Sequence, residues 1–147
     1  MDTPASRTWP VSVKGVVVDR RDRVLLLRNE RREWELPGGR LESGEEPAEC
    51  VVREIEEETA WQARTGPLLD TWVYEPLPGR HVLIVTYGIH LPDADTAPVL
   101  SHEHCEIGLF TRAEVPDLLM PDGYKRSVTA WFDHPARTPE PGGLGSS

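Results

Sequence analysis

The spacing of apolar residues changes along the chain, and each change marks an element. Val11 to Asp19 and Val24 to Arg28 are runs of valine and leucine separated by the charged turn Arg20-Arg21-Asp22, which predicts two strands joined as an early hairpin. From Glu46 to Thr59 the pattern is helical. At about 100° per residue Ala48, Val51, Val52, Ile55 and Thr59 fall on one stripe, as in a helix packed on a core. Pro47 suits its first turn, where a missing N–H costs nothing. Leu68 to Glu75 and His81 to Leu91 predict a second strand pair across Pro76-Leu77-Pro78-Gly79. The later strand is apolar on both faces (Val82 and Ile84 against Leu83, Val85 and Ile89), as expected where a strand is covered on both sides. Glu106 to Phe110 reads as one more strand. Thr111 with Glu114 resembles a capping box for a short helix, and a further helix is expected over 122–131. Strands and helices in alternation define a mixed α/β class.

The helix over 46–59 carries an acidic flank beside its apolar stripe. Residues three and four apart are neighbours on a helix, so Glu54 meets both Glu57 and Glu58 on adjoining turns. Like charges this close repel unless something positive sits among them. Arg53 is one internal counter-charge, and Mg²⁺ or Mn²⁺ are the hard cations that suit oxygen ligands. A solvated acidic face is the alternative reading of a glutamate run. That alternative leaves Glu45, Arg53 and the glycines at 38, 39 and 44 to be explained separately.

Residues 39–61, GRLESGEEPAECVVREIEEETAW, resemble the Nudix box, G-x5-E-x7-R-E-U-x-E-E-x-G-U with U a bulky apolar residue. Gly39, Glu45, Arg53, Glu54, Ile55, Glu57, Glu58 and Trp61 match in register, and Trp34-Glu35-Leu36-Pro37-Gly38-Gly39 resembles the usual lead-in. The departure is Ala60, where the pattern has glycine. A left-handed helix stop there would cost alanine about 1 kcal/mol. The resemblance implies a Nudix-type α/β/α sandwich with a mixed β-sheet. It also implies a Mg²⁺-dependent hydrolase (Mn²⁺ being the other candidate) that cleaves a pyrophosphate bond in a nucleoside diphosphate linked to another moiety, or in a nucleoside triphosphate.

Under that resemblance Glu54, Glu57 and Glu58 are metal ligands, Glu45 is an additional or water-mediated one, Gly39 contributes its carbonyl, and Arg53 orients a carboxylate. The general base is either Glu57 in the box or Glu103 in the loop Ser101-His102-Glu103-His104. His102 and His104 lack the H-E-x-x-H spacing of a helical zinc site. Arg28 and Arg40 are candidates to hold phosphates. Trp34, and with it Trp72, Tyr74, Tyr87 and Trp131, are candidates to stack on a base, although each ring serves equally as core. A sanitising enzyme for oxidised or non-standard nucleotides is a narrower form of the same chemistry. A non-catalytic nucleotide-sensing regulatory module is a different class, against which the full glutamate set argues.

Composition narrows the partners. The 147 residues suit a single domain over 1–134, with 135–147, rich in proline, glycine and serine, expected to be a disordered tail. A formal charge of −9 argues against a nucleic-acid-binding surface and leaves a small anionic substrate to be received through cations. MDTPASRTWP lacks a basic region followed by an apolar core, and no run approaches a membrane span, so the expectation is a soluble, cytoplasmic protein with no membrane partner. Cys50 and Cys105 are too few for a disulfide framework and lack paired zinc spacing. Cys50 lies one turn before Glu54, either a thiol near the metals or a buried filler. A homodimer is an assembly the resemblance admits.

Overall fold

The computed structural model describes residues 8–92, 97–100 and 106–137. In chain order they form β1 (Val11–Val17), β2 (Arg23–Arg28), β3 (Trp34–Glu35), β4 (Gly38–Arg40), α1 (Pro47–Thr59), β5 (Arg64–Leu77), β6 (Arg80–His90), β7 (Glu106–Thr111), a short 3-10 helix (Val115–Asp117) and α2 (Asp122–Phe132). Successive strand residues point to opposite faces, and in β1 and β2 both faces are covered. Val13, Val17, Leu25 and Leu27 therefore meet Val51 and Ile55 of α1 in one core, while Val16, Val24 and Leu26 meet Tyr124, Val128 and Trp131 of α2 in another. A sheet layer between two helices is the α/β/α sandwich the sequence implied.

The strands divide into a sheet ordered β4-β1-β6-β5 and another ordered β3-β2-β7. β1 is antiparallel to β4 and parallel to β6, so the first sheet is mixed. The expected early hairpin is corrected here. β1 and β2 are both strands, but apart from the bridge Val18–Val24 they pair in different sheets. The turn itself is held locally, since Asp19 accepts from the backbone amides of Arg21 and Arg23 at 2.9 Å each. Beyond it β1 takes a distant partner, in register with β6 from Val11↔Leu83 to Val17↔Ile89. β5 and β6 are the predicted second pair, although β5 extends well past its apolar stretch. β3 and β4 went unforeseen because a two-residue strand and a Gly-Gly-Arg strand carry no side-chain period.

In α1 the predicted first-turn proline is used, and a capping box that the sequence reading did not single out stands beside it. Glu46 is the N-cap, Glu49 reaches back to its amide at 3.2 Å in a capping box, and Pro47 opens the first turn. The buried stripe is shifted from the predicted one. Ala48 is exposed, and Cys50 and Glu58 lie with Val51, Ile55 and Thr59 on the covered side. Where the sheet lies decides which flank is covered, and the best apolar spacing does not. The expected short helix after β7 is also modified. Glu114 does accept from the Thr111 amide at 2.8 Å, but a 3-10 helix follows rather than an α-helix, with Pro116 supplying no N–H to extend it. Among the described residues no helix is long and apolar enough to cross a membrane. Most of the expected tail, 138–147, lies outside the described residues.

Helix α1 ends as the departure from the glycine pattern demands. Ala60 sits at φ 64° and ψ 7°, and its N–H closes on the Glu56 carbonyl at 2.9 Å. An L-residue with a Cβ is strained there by about 1 kcal/mol relative to glycine. Ala60→Gly is therefore expected to raise the thermal midpoint by about 2–4 °C, read by calorimetry; an unchanged or lower midpoint would show that no strain is stored at this stop.

Candidate functional site

Arg53 gathers the acids of the helix and of the loop before it. Its Nε lies 2.6 Å from Glu45 Oε2 and one terminal nitrogen 3.1 Å from Glu45 Oε1, a two-point contact between fork and carboxylate. The other terminal nitrogen donates to Glu54 at 3.2 Å and to Glu57 at 3.2 and 3.3 Å, and Glu42 stands at 3.7 Å. The sequence reading brought Glu45, Glu54 and Glu57 together with Arg53, and the structure does the same; Glu42 was missed. Glu45 is pulled down to about 2, first by its hydrogen bonds to Arg53, and Arg53 is raised in turn, first by Glu45.

Glu58 stands apart from this group. Only 3 % exposed, it accepts the backbone N–H of Gly38 at 2.9 Å and so ties α1 to β4. Gly39 is the next residue of β4, opposite Val13 in β1, and a Cβ on it would fall 2.5 Å from the Glu54 carboxyl carbon. Only glycine lets the helix carboxylate lie against the strand backbone.

A buried lysine lies behind the acids, and the sequence reading overlooked it. Lys14 shares the β1 face of Val16, is 8 % exposed, donates to the Leu36 carbonyl at 3.2 Å and lies 5.8 Å from the Tyr124 ring centre. Burial works to lower its pKa, yet the combined field of Tyr124, Glu35, Glu58 and Glu54 outweighs that and raises it. A lysine at a core-facing position of an apolar strand was the available signal, because lysine is rarely buried unless paired.

The remaining candidates fall in varied places. Arg28 pairs with Glu106 at 2.9 Å and stacks 5.6 Å from the Trp34 ring. Trp34, 9 % exposed, also has Phe110 edge-on at 4.8 Å, so its ring is covered by protein and not open for stacking on a base. Arg40 is exposed at the end of β4, one residue beyond Gly39. Trp72 and Tyr74 are half-buried and cluster with Tyr124, whereas Trp131 is core. Cys50 is fully buried with its Sγ 3.5 Å from the Arg40 carbonyl, and burial, then Glu45, pushes the thiol up to about 12. That makes it an inert filler rather than a nucleophile. Glu103, His102, His104 and Cys105 lie outside the described residues.

The donors at this centre are carboxylate and carbonyl oxygens, the set that suits Mg²⁺ or Mn²⁺ and not a soft metal. Among the described residues no three His, Cys, Asp or Glu side chains converge as a ready-made metal group. The guanidinium of Arg53 lies between them, and Glu58 is turned to Gly38. The residue types fit a hard cation; taking one up requires the carboxylates to exchange some of their Arg53 contacts for it.

The chain is a layered α/β domain in which a glycine-containing strand lies against an acidic helix. The NUDIX domain pattern matches residues 8–132, and the chain belongs to that family. It is similar to an 8-oxo-dGTP diphosphatase of Proteus vulgaris, 32 % identical over 75 residues, covering 48 % of this chain and 66 % of the relative. It is 42 % identical over 80 residues to a MutT-like protein of Streptomyces ambofaciens, covering 51 % of each. The chain thus spans about half to two thirds of these relatives' length. The crystal structure of a MutT protein from Methanosarcina mazei Go1 superposes with a TM-score of 0.73 at 24 % identity, covering 84 % of this chain and 93 % of that one, and shows the shared fold.

The Arg53–Glu45 contact has a pH signature. A carboxyl held at about 2 against its ordinary 4.5 contributes stability that is complete above the ordinary value and is lost as pH falls toward about 2. Between those limits the thermal midpoint of Glu45→Gln is expected to fall less steeply with acid than that of the unmodified chain. Parallel slopes would mean that Arg53 does not hold Glu45 in solution.

Proposed function

We propose that this chain hydrolyses a pyrophosphate bond in a small nucleotide derivative, either a nucleoside diphosphate linked to another moiety or a nucleoside triphosphate, with a divalent cation. One observation carries the reading: Arg53 holds Glu45 of the loop and Glu54 and Glu57 of the helix within hydrogen-bonding distance, and the Glu54 carboxylate lies against Gly39. Glu54, Glu57 and Glu58 are the residues that would hold the cation, with Glu45 and the Gly39 carbonyl completing the set. When bound, a divalent cation neutralises the oxygens that otherwise screen phosphorus from water.

The chain's own residues divide the remaining work. Glu57 is more exposed than Glu45 and Glu54, its side chain 59 % accessible, and is the box candidate to take a proton from an attacking water, with Glu103 the loop candidate. Glu58, buried and hydrogen-bonded to Gly38, fixes the spacing between α1 and β4. Arg53 positions the carboxylates and keeps Glu45 ionised. Arg40, exposed beside Gly39, is the candidate to meet a phosphate. The name of the Proteus vulgaris relative supports the narrower reading, removal of an oxidised nucleotide, which uses the same residues.

The test is a panel of nucleoside triphosphates, including oxidised ones, nucleotide sugars and dinucleoside polyphosphates, assayed with Mg²⁺ and with chelator. Turnover is expected only with metal, and Glu57→Gln is expected to lower kcat by about 10²–10⁴-fold with the fold intact. A companion Glu103→Gln variant decides between the two candidate bases. Nucleotide binding without turnover across the panel would replace the hydrolase by a sensing module.

A further inference from the structure

We infer that the chain carries a second binding site, for a nucleotide-sized phosphate monoester, in a cavity at the opposite end of β1 from the acidic cluster. β1 and β6 run parallel and both end at this cavity. Ligands of open α/β sheets gather beyond the carboxyl ends of such strands. Gly39 lies opposite Val13, whereas the cavity wall begins at Val18, so roughly 16 Å of strand separates it from the acids. Its volume of about 650 Å³ is within the range of small-molecule sites.

The charge on its wall runs against that of the chain. In a protein of formal charge −9, Arg20, Arg64 and Arg137 meet there with His90. The two aspartates on the same wall are already engaged. Asp19 is held by two backbone amides and, from outside the cavity, by Arg23 at 2.9 Å; Asp22 meets Arg137 at 3.2 Å. Arg64 is exposed and sits directly across from His90 in the β5–β6 register. Burial and then the charge of Arg64 lower the His90 pKa.

The floor is apolar and fixed. Ile89 is 2 % and Trp131 1 % exposed, and the Trp131 ring occupies the space that a side chain at Gly88 would need, with His90 edge-on at 5.5 Å. Guanidinium forks recognise phosphate oxygens. The volume calls for an organic body beside that phosphate, since an inorganic ion would leave most of the space unused.

The probe is AMP, titrated calorimetrically into the full chain in EDTA so that cation-dependent binding at the acidic centre is silent. Adenosine and inorganic phosphate form separate arms. AMP is expected to bind once per chain and each fragment at least about tenfold more weakly; Arg20→Gln combined with Arg64→Gln is expected to weaken AMP at least about tenfold. Both arginines are exposed, so the thermal midpoint of the double variant should be unchanged, and Glu57→Gln should bind AMP as the unmodified chain does. Three results would overturn the proposal: no AMP binding at millimolar concentration, binding that survives the double substitution, or binding lost in Glu57→Gln. Equal affinity for inorganic phosphate would overturn the assignment to a nucleotide. The outcome is independent of whether the panel above shows hydrolysis.

Discussion

The guanidinium of Arg53 is the constraint around which this site is arranged. Four carboxylates, those of Glu42, Glu45, Glu54 and Glu57, are drawn to one side chain, and two of them come from the loop that precedes the helix. Five N–H donors in a rigid fork allow one cation to serve several acceptors, which the point charge of a lysine would do less well. The loop over 41–46 therefore has a defined shape despite its glycine and polar composition. Repulsion between neighbouring glutamates, unfavourable in an isolated helix, becomes an attraction to a common centre.

A second cation works from inside the sheet. Lys14 is buried on the α2 side of β1, bonded to the Leu36 carbonyl, and feels Glu35, Glu54 and Glu58. Lys14 and Glu58 thus flank the lead-in to Gly39, one holding the Leu36 carbonyl and the other the Gly38 amide. The backbone that lies against Glu54 is fixed from both sides. Two cores, one under each helix, supply the rigidity on which this arrangement depends.

Charge is partitioned along β1. Its first half borders the acidic helix through β4, and its far end opens on a cavity where Arg20, Arg64 and Arg137 stand with Asp19 and Asp22. The formal charge of −9 describes neither end, so arguments from net charge alone miss the basic cavity. It also hides the local pairing of Asp19 and Asp22, which the sequence presents only as members of a charged turn.

Helix α1 was legible because its information is local: a proline in the first turn, apolar residues three and four apart, and acids at the same spacing all lie within one stretch of the chain. The need for a left-handed stop at Ala60 was legible for the same reason. Sheet partners were not. Val11–Val17 and Arg23–Arg28 look like a hairpin from the intervening turn, yet β1 is completed by β6, far away in the chain, and β2 by β7. Nor does any short-range signal say that Lys14 will face Tyr124, that Trp34 will be covered, or that Glu58 will turn to Gly38 while Glu57 stays in water. The sequence by itself determined the acidic helix, its order of ligand-type residues and the family to which they belong, since helical periodicity brings residues four apart together whatever surrounds them. Tertiary structure alone decided which acids are buried, which cations answer them and where a basic cavity opens, because those contacts exist only once distant strands have paired.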